Sequence, residues 1–426
     1  MRKKCIVSLL CLALCFCMLG CGNDIIIDVV TNEGRNQVSA SDNNQAEVPE
    51  SSEASESETT DNQKEATSTK EVATTNPAGM PTIKQEDLKI GILYIGSEED
   101  TSGYTYAHEI GIQGMITNLG LAADQVIRKN FIDDTDSDAI HKAMDECIEE
   151  GCNIIFTTSW GYMELTEEYA NQYPDIYFSH GTGYLSNGKN FTNYFGRIYQ
   201  ARYLSGLVAG LKTQTNKLGY VSAMGMSNSE CTGGIDAFAM GVEKVNPDAK
   251  VYVAVTDSWF SPEDEQAASD ALIALGCDVL AQHVDTTAPQ TASQANGTWS
   301  IGYNSDMSKE TPDATLTSVI WNWSAFYTSY VSSIINATYD GSNYYGGMED
   351  SLVGLTGLSA LCEEETAEIV NTETQRILKG EFGIFDGVLE TNAGTQVGEE
   401  GKTMDDATLT GGIDWYYHNV ELVNWR

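Results

Sequence analysis

Leu88-Lys89-Ile90-Gly91-Ile92-Leu93-Tyr94-Ile95-Gly96 is the stretch from which the rest of the chain can be read. It is apolar almost without alternation, which predicts a strand buried on both faces, as in a parallel sheet. A polar loop follows from Ser97 to Ser102, then a helical stretch from Tyr104 to Leu119. The same alternation recurs downstream. Strands are expected at Gln125–Ile132, Cys152–Thr158, Ile176–His180, Leu218–Ala223, Val251–Thr256, Asp278–His283, Trp299–Tyr303 and Leu316–Trp321. Between and after them, helices are expected at Ser137–Glu150, Met163–Tyr173, Ile198–Leu211, Gly234–Val245, Pro262–Leu275 (with Ser261 as N-cap), up to Asn296, and at Ala325–Tyr339. Repeated strand–helix units place the chain in the α/β class. Their number predicts two doubly wound sheets, with a closed eight-fold barrel as the competing arrangement. The tail from Asp350 is mixed and reads less clearly.

Ahead of this repeat the chain has a different character. Met1-Arg2-Lys3-Lys4 precedes an apolar run from Cys5 to Leu19, then Gly20 and Cys21. A basic head and an apolar stretch too short to span a bilayer describe an export signal over residues 1–20. Met18-Leu19-Gly20-Cys21 resembles a lipobox, which implies a lipid on the Cys21 sulfur and a protein anchored to the extracellular face of the cell membrane. Residues 21–84 are rich in Ser, Thr, Asn and Glu, as in Ser51-Ser52-Glu53-Ala54-Ser55-Glu56-Ser57-Glu58. Such a segment buries too little apolar area to offset its conformational entropy and is expected to be a disordered acidic tether.

The 426 residues include 62 acidic and 23 basic ones, a formal net charge of -39. That balance repels phosphate backbones and argues against any nucleic-acid partner. About 340 residues remain beyond leader and tether, enough for two domains. Cys147, Cys152, Cys231, Cys277 and Cys362 lie beyond the leader at no metal spacing, and read as buried thiols. The five histidines form no metal pattern, and there is no nucleophile elbow and no phosphate loop. No metal and no cofactor is called for.

Ligands of open α/β sheets bind beyond the carboxyl ends of the strands. Those ends carry Tyr104-Thr105-Tyr106, Ser159-Trp160-Gly161-Tyr162, His180-Gly181, Asp257-Ser258-Trp259-Phe260, His283-Val284-Asp285, Tyr303-Asn304-Ser305-Asp306 and Trp321-Asn322-Trp323. Aromatic faces beside Asn, Asp, His and Thr suit a planar heterocycle with hydrogen-bonding edges.

These same blocks resemble the basic membrane protein family, the lipoprotein substrate-binding components of ABC transporters. The similarity is carried by Lys89–Gly96 followed by Gly103-Tyr104-Thr105-Tyr106-Ala107-His108-Glu109, by Ile155–Tyr162, by Tyr194-Phe195-Gly196-Arg197, by Leu280-Ala281-Gln282-His283, by Gly302–Met307 and by Ile320-Trp321-Asn322-Trp323. The resemblance implies a type I periplasmic-binding-protein fold, two Rossmann-like lobes joined by a hinge. By it, residues 85–196 plus 315–341 form the N-terminal lobe and 197–314 plus 342–426 the C-terminal lobe. It implies no enzymatic step, but capture of a purine base or nucleoside by a monomer that serves an ABC permease. Tyr104 and Trp259 match the aromatics that sandwich the base, and Thr105 stands where an Asn is usual. The ribose-binding Asp and Lys match Asn304 and Trp321, with Asp306 retained, so a free base such as adenine is expected. Trp160, Gly161 and His283 complete the expected ligand set. An extracellular nucleoside hydrolase, and a sugar-binding or sensory receptor of the same fold, are the alternatives.

Overall fold

A computed structural model of the chain describes residues 75–426. The expected signal peptide, Cys21 and the tether as far as residue 74 lie outside the described residues. Residues 75–84, expected as the end of the tether, instead pack on the first lobe. Met80 is fully buried, Asn76 Nδ2 donates to the Tyr177 hydroxyl at 2.7 Å, and that hydroxyl donates to the Pro81 carbonyl at 2.7 Å. Met80 and Ile83 give this segment apolar area to bury, which the Ser- and Glu-rich stretch before it lacks.

The first lobe is built from β1 (Ile90–Leu93), α1 (Gly103–Leu119), β2 (Val126–Lys129), α2 (Ser137–Glu149), β3 (Ile154–Thr157), α3 (Met163–Gln172), β4 (Tyr177–Gly181) and β5 (Phe191–Gly196). The chain then crosses at Arg197 into the second lobe. There it forms α4 (Ile198–Lys212), β6 (Lys217–Ser222), α5 (Ser229–Val245), β7 (Lys250–Val255), α6 (Pro262–Ala274), β8 (Val279–His283), α7 (Ala288–Asn296), β9 (Trp299–Tyr303) and β10 (Thr315–Trp321). A second crossing at Asn322 returns it to the first lobe as α8 (Trp323–Ile335) and β11 (Tyr344–Gly346). A third crossing leads to β12 (Val353–Leu355), α9 (Thr366–Leu378), the hairpin β13 (Asp386–Glu390) and β14 (Gln396–Thr403), α10 (Asp406–Gly411) and β15 (Val420–Leu422).

Two open sheets result, so the eight-fold barrel is overturned. The first has the order β11-β5-β4-β3-β1-β2, all parallel. The second has the order β12-β10-β9-β8-β6-β7-β15, parallel except for β12. The central strands are buried on both faces, as their unalternating sequences require; all four residues of β1 and of β3 are buried.

The lobe boundaries differ from expectation at both ends of α8. Thr315–Trp321, expected in the N-terminal lobe, is a strand of the second sheet, because it pairs with β9 from Thr317↔Ile301 to Val319↔Tyr303. Tyr344–Gly346, expected in the C-terminal lobe, extends the first sheet beside β5. The crossing segments are tied to one another: Arg197 N donates to Gly346 O at 2.7 Å, and Asn322 N to Leu352 O at 2.6 Å. Around the second crossing, Trp321 stacks on Trp323 and Trp323 on His108, each with centroids 4.6 Å apart.

Helix α5 begins at Ser229 rather than at the expected Gly234. Asn228 caps it, its Oδ1 accepting from Cys231 N at 2.9 Å. This earlier start brings Glu230 into the first turn. Helices α4 and α5 meet backbone to backbone. A Cβ on Gly206 would stand 2.1 Å from the Phe238 carbonyl, and one on Gly241 2.1 Å from the Tyr203 carbonyl. Among the described residues, no helix is long and apolar enough to cross a membrane.

Candidate functional site

The carboxyl ends of β1, β3, β4 and β5 face those of β6, β7, β8 and β9 across a cleft of about 1140 Å³. The two lobes touch over it. Gly103, with φ at +84°, opens α1, and a Cβ placed there would lie 3.0 Å from the Asp285 carbonyl of the other lobe. This is a closed arrangement of the shell.

Three of the expected ligand residues come together on the cleft wall: Tyr104 and Trp160 from the first lobe, Trp259 from the second. Tyr104 is fixed by its hydroxyl, which donates to the Thr158 carbonyl at 2.9 Å, and by an edge contact with His108 at 4.5 Å. Trp160 is 57% exposed and tilts against Tyr184, itself 67% exposed, at 5.9 Å. Trp259 is half-buried and meets the His283 ring edge-on at 5.7 Å. Large aromatics left open in a concave site hold free apolar faces for a flat guest.

The other expected residues stand behind the wall. Thr105 is buried, and its Oγ1 accepts from Gly96 N at 3.2 Å, closing the loop after β1. Gly161 carries no side chain toward the cleft; a Cβ there would lie 2.2 Å from the Asp134 carbonyl, so the residue lets Asp134 approach. Asp306 caps the short turn at Met307–Lys309, its Oδ1 accepting from Ser308 N at 3.1 Å. Trp321 is buried at the hinge, and its Nε1 donates to the Tyr303 hydroxyl at 3.0 Å. Asn304 is buried at φ +66°, and its Nδ2 donates to Asp285 Oδ1 at 2.8 Å. His283 is fully buried, its Nε2 3.1 Å from Glu230 Oε1. Burial first, then Arg202, holds the His283 pKa well below the usual value, so the ring is neutral.

Four cleft acids were not in the expected set, Asp134, Asp406, Asp285 and Glu230, and the last two have raised pKa values. Asp285 follows β8, and burial, with Glu265 and Glu230 nearby, pushes its pKa up to about 8 against the pull of Asn304. Glu230 sits in the first turn of α5, and burial pushes it up to about 7 against the pull of Arg202 and Tyr303. Asp285 was visible at a strand end, but nothing local marked its carboxyl. Glu230 was hidden by the late start assigned to α5. Tyr303 closes the floor with the fully buried Arg202 guanidinium 4.1 Å from its ring centroid.

Among the described residues, no Lys or Arg side chain lines the cleft, whereas Asp134, Glu230, Asp285 and Asp406 do. Arg197 engages Asp406, Nε donating to Oδ1 at 3.0 Å. The site disfavours anions and favours an uncharged or cationic planar molecule with N–H groups at its edge. Among the described residues, no group of three or more His, Cys, Asp or Glu is arranged to hold a metal.

Comparison with known proteins agrees with this architecture. A family model described as "ABC transporter substrate-binding protein PnrA-like" matches residues 88–385. A purine-binding protein of Brucella abortus is 32% identical over 79% of this chain and 94% of its own length. A Haloferax volcanii protein named for glucose binding in an ABC transporter is 31% identical over 79% of this chain and 83% of its own. In structure, an ABC transporter solute-binding protein of Conexibacter woesei superposes with a TM-score of 0.57 at 19% identity, covering 70% of this chain and 98% of that one.

Proposed function

Because the chain belongs to the family of PnrA-like ABC transporter substrate-binding proteins, we propose that it captures a purine base such as adenine between its lobes and presents it to an ABC permease. The supporting observation is that Tyr104 and Trp259 reach one cleft from opposite lobes. A base stacked on them gains roughly 1–3 kcal/mol per aromatic face, and only when the lobes are shut. Closure then hides the ligand and sets the relative position of the two lobe surfaces that a permease would meet. No chemistry on the ligand is needed for this.

A free base is favoured over a nucleoside by the positions matching ribose contacts. Asn304 is committed to Asp285, and Trp321 is buried with its Nε1 on Tyr303. Trp321 offers a sugar hydroxyl no partner in the cleft, and the one group of Asn304 left without a partner, Oδ1, is buried off the cleft wall. Calorimetry with adenine, adenosine and glucose tests the reading: adenine should bind, adenosine should bind at least tenfold more weakly, and tighter adenosine binding would overturn it. The glucose arm addresses the second reading, a sugar receptor, which the glucose-named relative favours. Product release from adenosine would point instead to a hydrolase.

The protein is further proposed to act as a monomer anchored by a lipid on Cys21 to the outer face of the cell membrane, with the acidic segment as spacer. Cys21→Ala should release it into the medium; retention on the membrane would refute the anchor. Permease and ATPase genes beside this one would favour transport over sensing.

A further inference from the structure

Asp285 uses one oxygen within the protein, and Glu230 is engaged by both His283 and Tyr303. Asp285 Oδ1 accepts from Asn304 Nδ2 at 2.8 Å, and the residue lines the cleft. Glu230 Oε1 lies 3.1 Å from Nε2 of the neutral His283. The groups that face them come from every side of the floor. Asp285 lies within electrostatic reach of Glu265 of α6, Glu230 of α5 and the hydroxyls of Tyr104 and Tyr303. Glu230 contacts His283 of β8, and lies within electrostatic reach of Arg202 of α4 and of Tyr303, Tyr104 and Tyr345. The one cation in this group, Arg202, lies against the Tyr303 ring and donates to the Gln282 carbonyl. It is too little to balance three acids on one cleft floor.

We infer that Asp285 and Glu230 are the specificity-determining contacts for the polar edge of the ligand, and that they make those contacts as protonated acids, so that capture takes up protons from solvent. This rests on the reading of an uncharged base as ligand. A protonated carboxyl offers one donor and one acceptor side by side. That pattern matches a ring nitrogen next to an exocyclic amine, the amidine edge of adenine: the acid O–H donates to the ring nitrogen and its C=O accepts from the amine. A bare carboxylate would instead set its lone pairs against that of the ring nitrogen. The oxygens are acceptors only when ionised, so protonation is what turns an acidic floor into a reader of heterocycle edges.

The sign of the linkage follows from where water is. Parting of the lobes withdraws Tyr104 of the first lobe from both acids, and on this inference water then returns the two carboxyls toward the ordinary carboxylate range. With the lobes shut, burial raises Asp285 to about 8 and Glu230 to about 7. The closed form therefore holds the extra protons. Affinity is full below the open-form range and falls as pH rises toward the closed-form values, by about tenfold per pH unit for each proton taken up.

Calorimetry of the full chain with adenine, in buffers of different ionisation enthalpy near pH 7, counts the protons directly. Uptake of about one to two protons is expected. Kd should rise across roughly pH 6 to 8, and Asp285→Asn and Glu230→Gln should each flatten that slope by one proton, an effect that a merely structural role would not produce. Adenine binding with no proton uptake, or equal slopes in all three proteins, overturns the inference while leaving the base reading intact. Failure of adenine, hypoxanthine and guanine alike to bind overturns that reading and the inference with it.

Discussion

Gly103→Ala separates the closed lobes from the open ones with the smallest possible change. Gly103 holds φ at +84°, a region where a side chain costs about 1 kcal/mol or slightly more, in open and closed forms alike. Restricting the unfolded chain returns about 0.4–1 kcal/mol of that. Unliganded stability should therefore barely change, with Tm falling by no more than about 4 °C. The new Cβ also meets the Asp285 carbonyl at 3.0 Å, and this contact exists only when the lobes are shut. The neighbour is backbone, so no rotamer change relieves it, and overpacking of this kind costs about 1–3 kcal/mol. All of that falls on the bound state, which raises Kd for adenine about 5- to 150-fold. Paired calorimetry and thermal melts read the two effects separately. An unchanged Kd beside an unchanged or slightly lowered Tm would mean that the bound form does not make this contact, and the closed geometry described above would not be the ligand-holding one.

Trp259→Ala removes one stacking face and should weaken adenine binding about 5- to 150-fold, corresponding to roughly 1–3 kcal/mol; titration calorimetry that finds wild-type affinity would refute the sandwich. Gly206→Ala forces a methyl to within 2.1 Å of the Phe238 carbonyl, and should destabilise the second lobe by about 1–3 kcal/mol, less about 1 kcal/mol gained in helix propensity. Urea unfolding measures it, and a stabilised variant would contradict the close crossing of α4 and α5. Asp236 is fully buried, one oxygen accepting from Tyr417 N at 2.7 Å and the other unpartnered. Burial raises its pKa well above the carboxylate range. The folded state therefore keeps a proton that the unfolded state releases, and stability falls as pH rises above the unfolded value near 4. Asp236→Asn should raise Tm at pH 7 and leave it nearly unchanged at pH 4; calorimetric melts showing the same shift at both would exclude the linkage.

The sheets were legible where strands are uniformly apolar. Ile90–Leu93 and Ile154–Thr157 are buried from end to end, and nothing but a two-sided core accommodates them. Phe191–Gly196 was not expected as a strand because Thr192 and Asn193 break its apolar run, although it lies inside the first sheet. Membership of a lobe was harder still. Leu316–Trp321 reads as the same apolar strand whichever sheet receives it, and only its pairing with Trp299–Tyr303 decides. The crossing falls at Asn322 because Trp323, stacked between Trp321 and His108, already belongs to a helix that packs on the first lobe.

The site divides along the same line, between what one segment fixes and what only the assembly fixes. Position at a strand end is a local property, and it found Tyr104, Trp160 and Trp259. The side to which a strand-end residue leans is not local. Trp321 and Asn304 turn inward because Tyr303 and Asp285 hold them there, and those partners arrive with other strands. The chemistry of an acid is less local again. His283-Val284-Asp285-Thr286 reads as a polar loop, yet the loop end of α6 brings Glu265 against it, the turn after β9 brings Asn304, and closure of the other lobe brings Gly103 to its carbonyl. A carboxylate that would be an ordinary solvated charge in the isolated segment becomes, in the folded shell, a group that keeps its proton near neutrality. Its chemistry is thus a property of the assembled second lobe, to which Glu265 and Asn304 belong, with the first lobe adding the Gly103 contact and the nearby Tyr104.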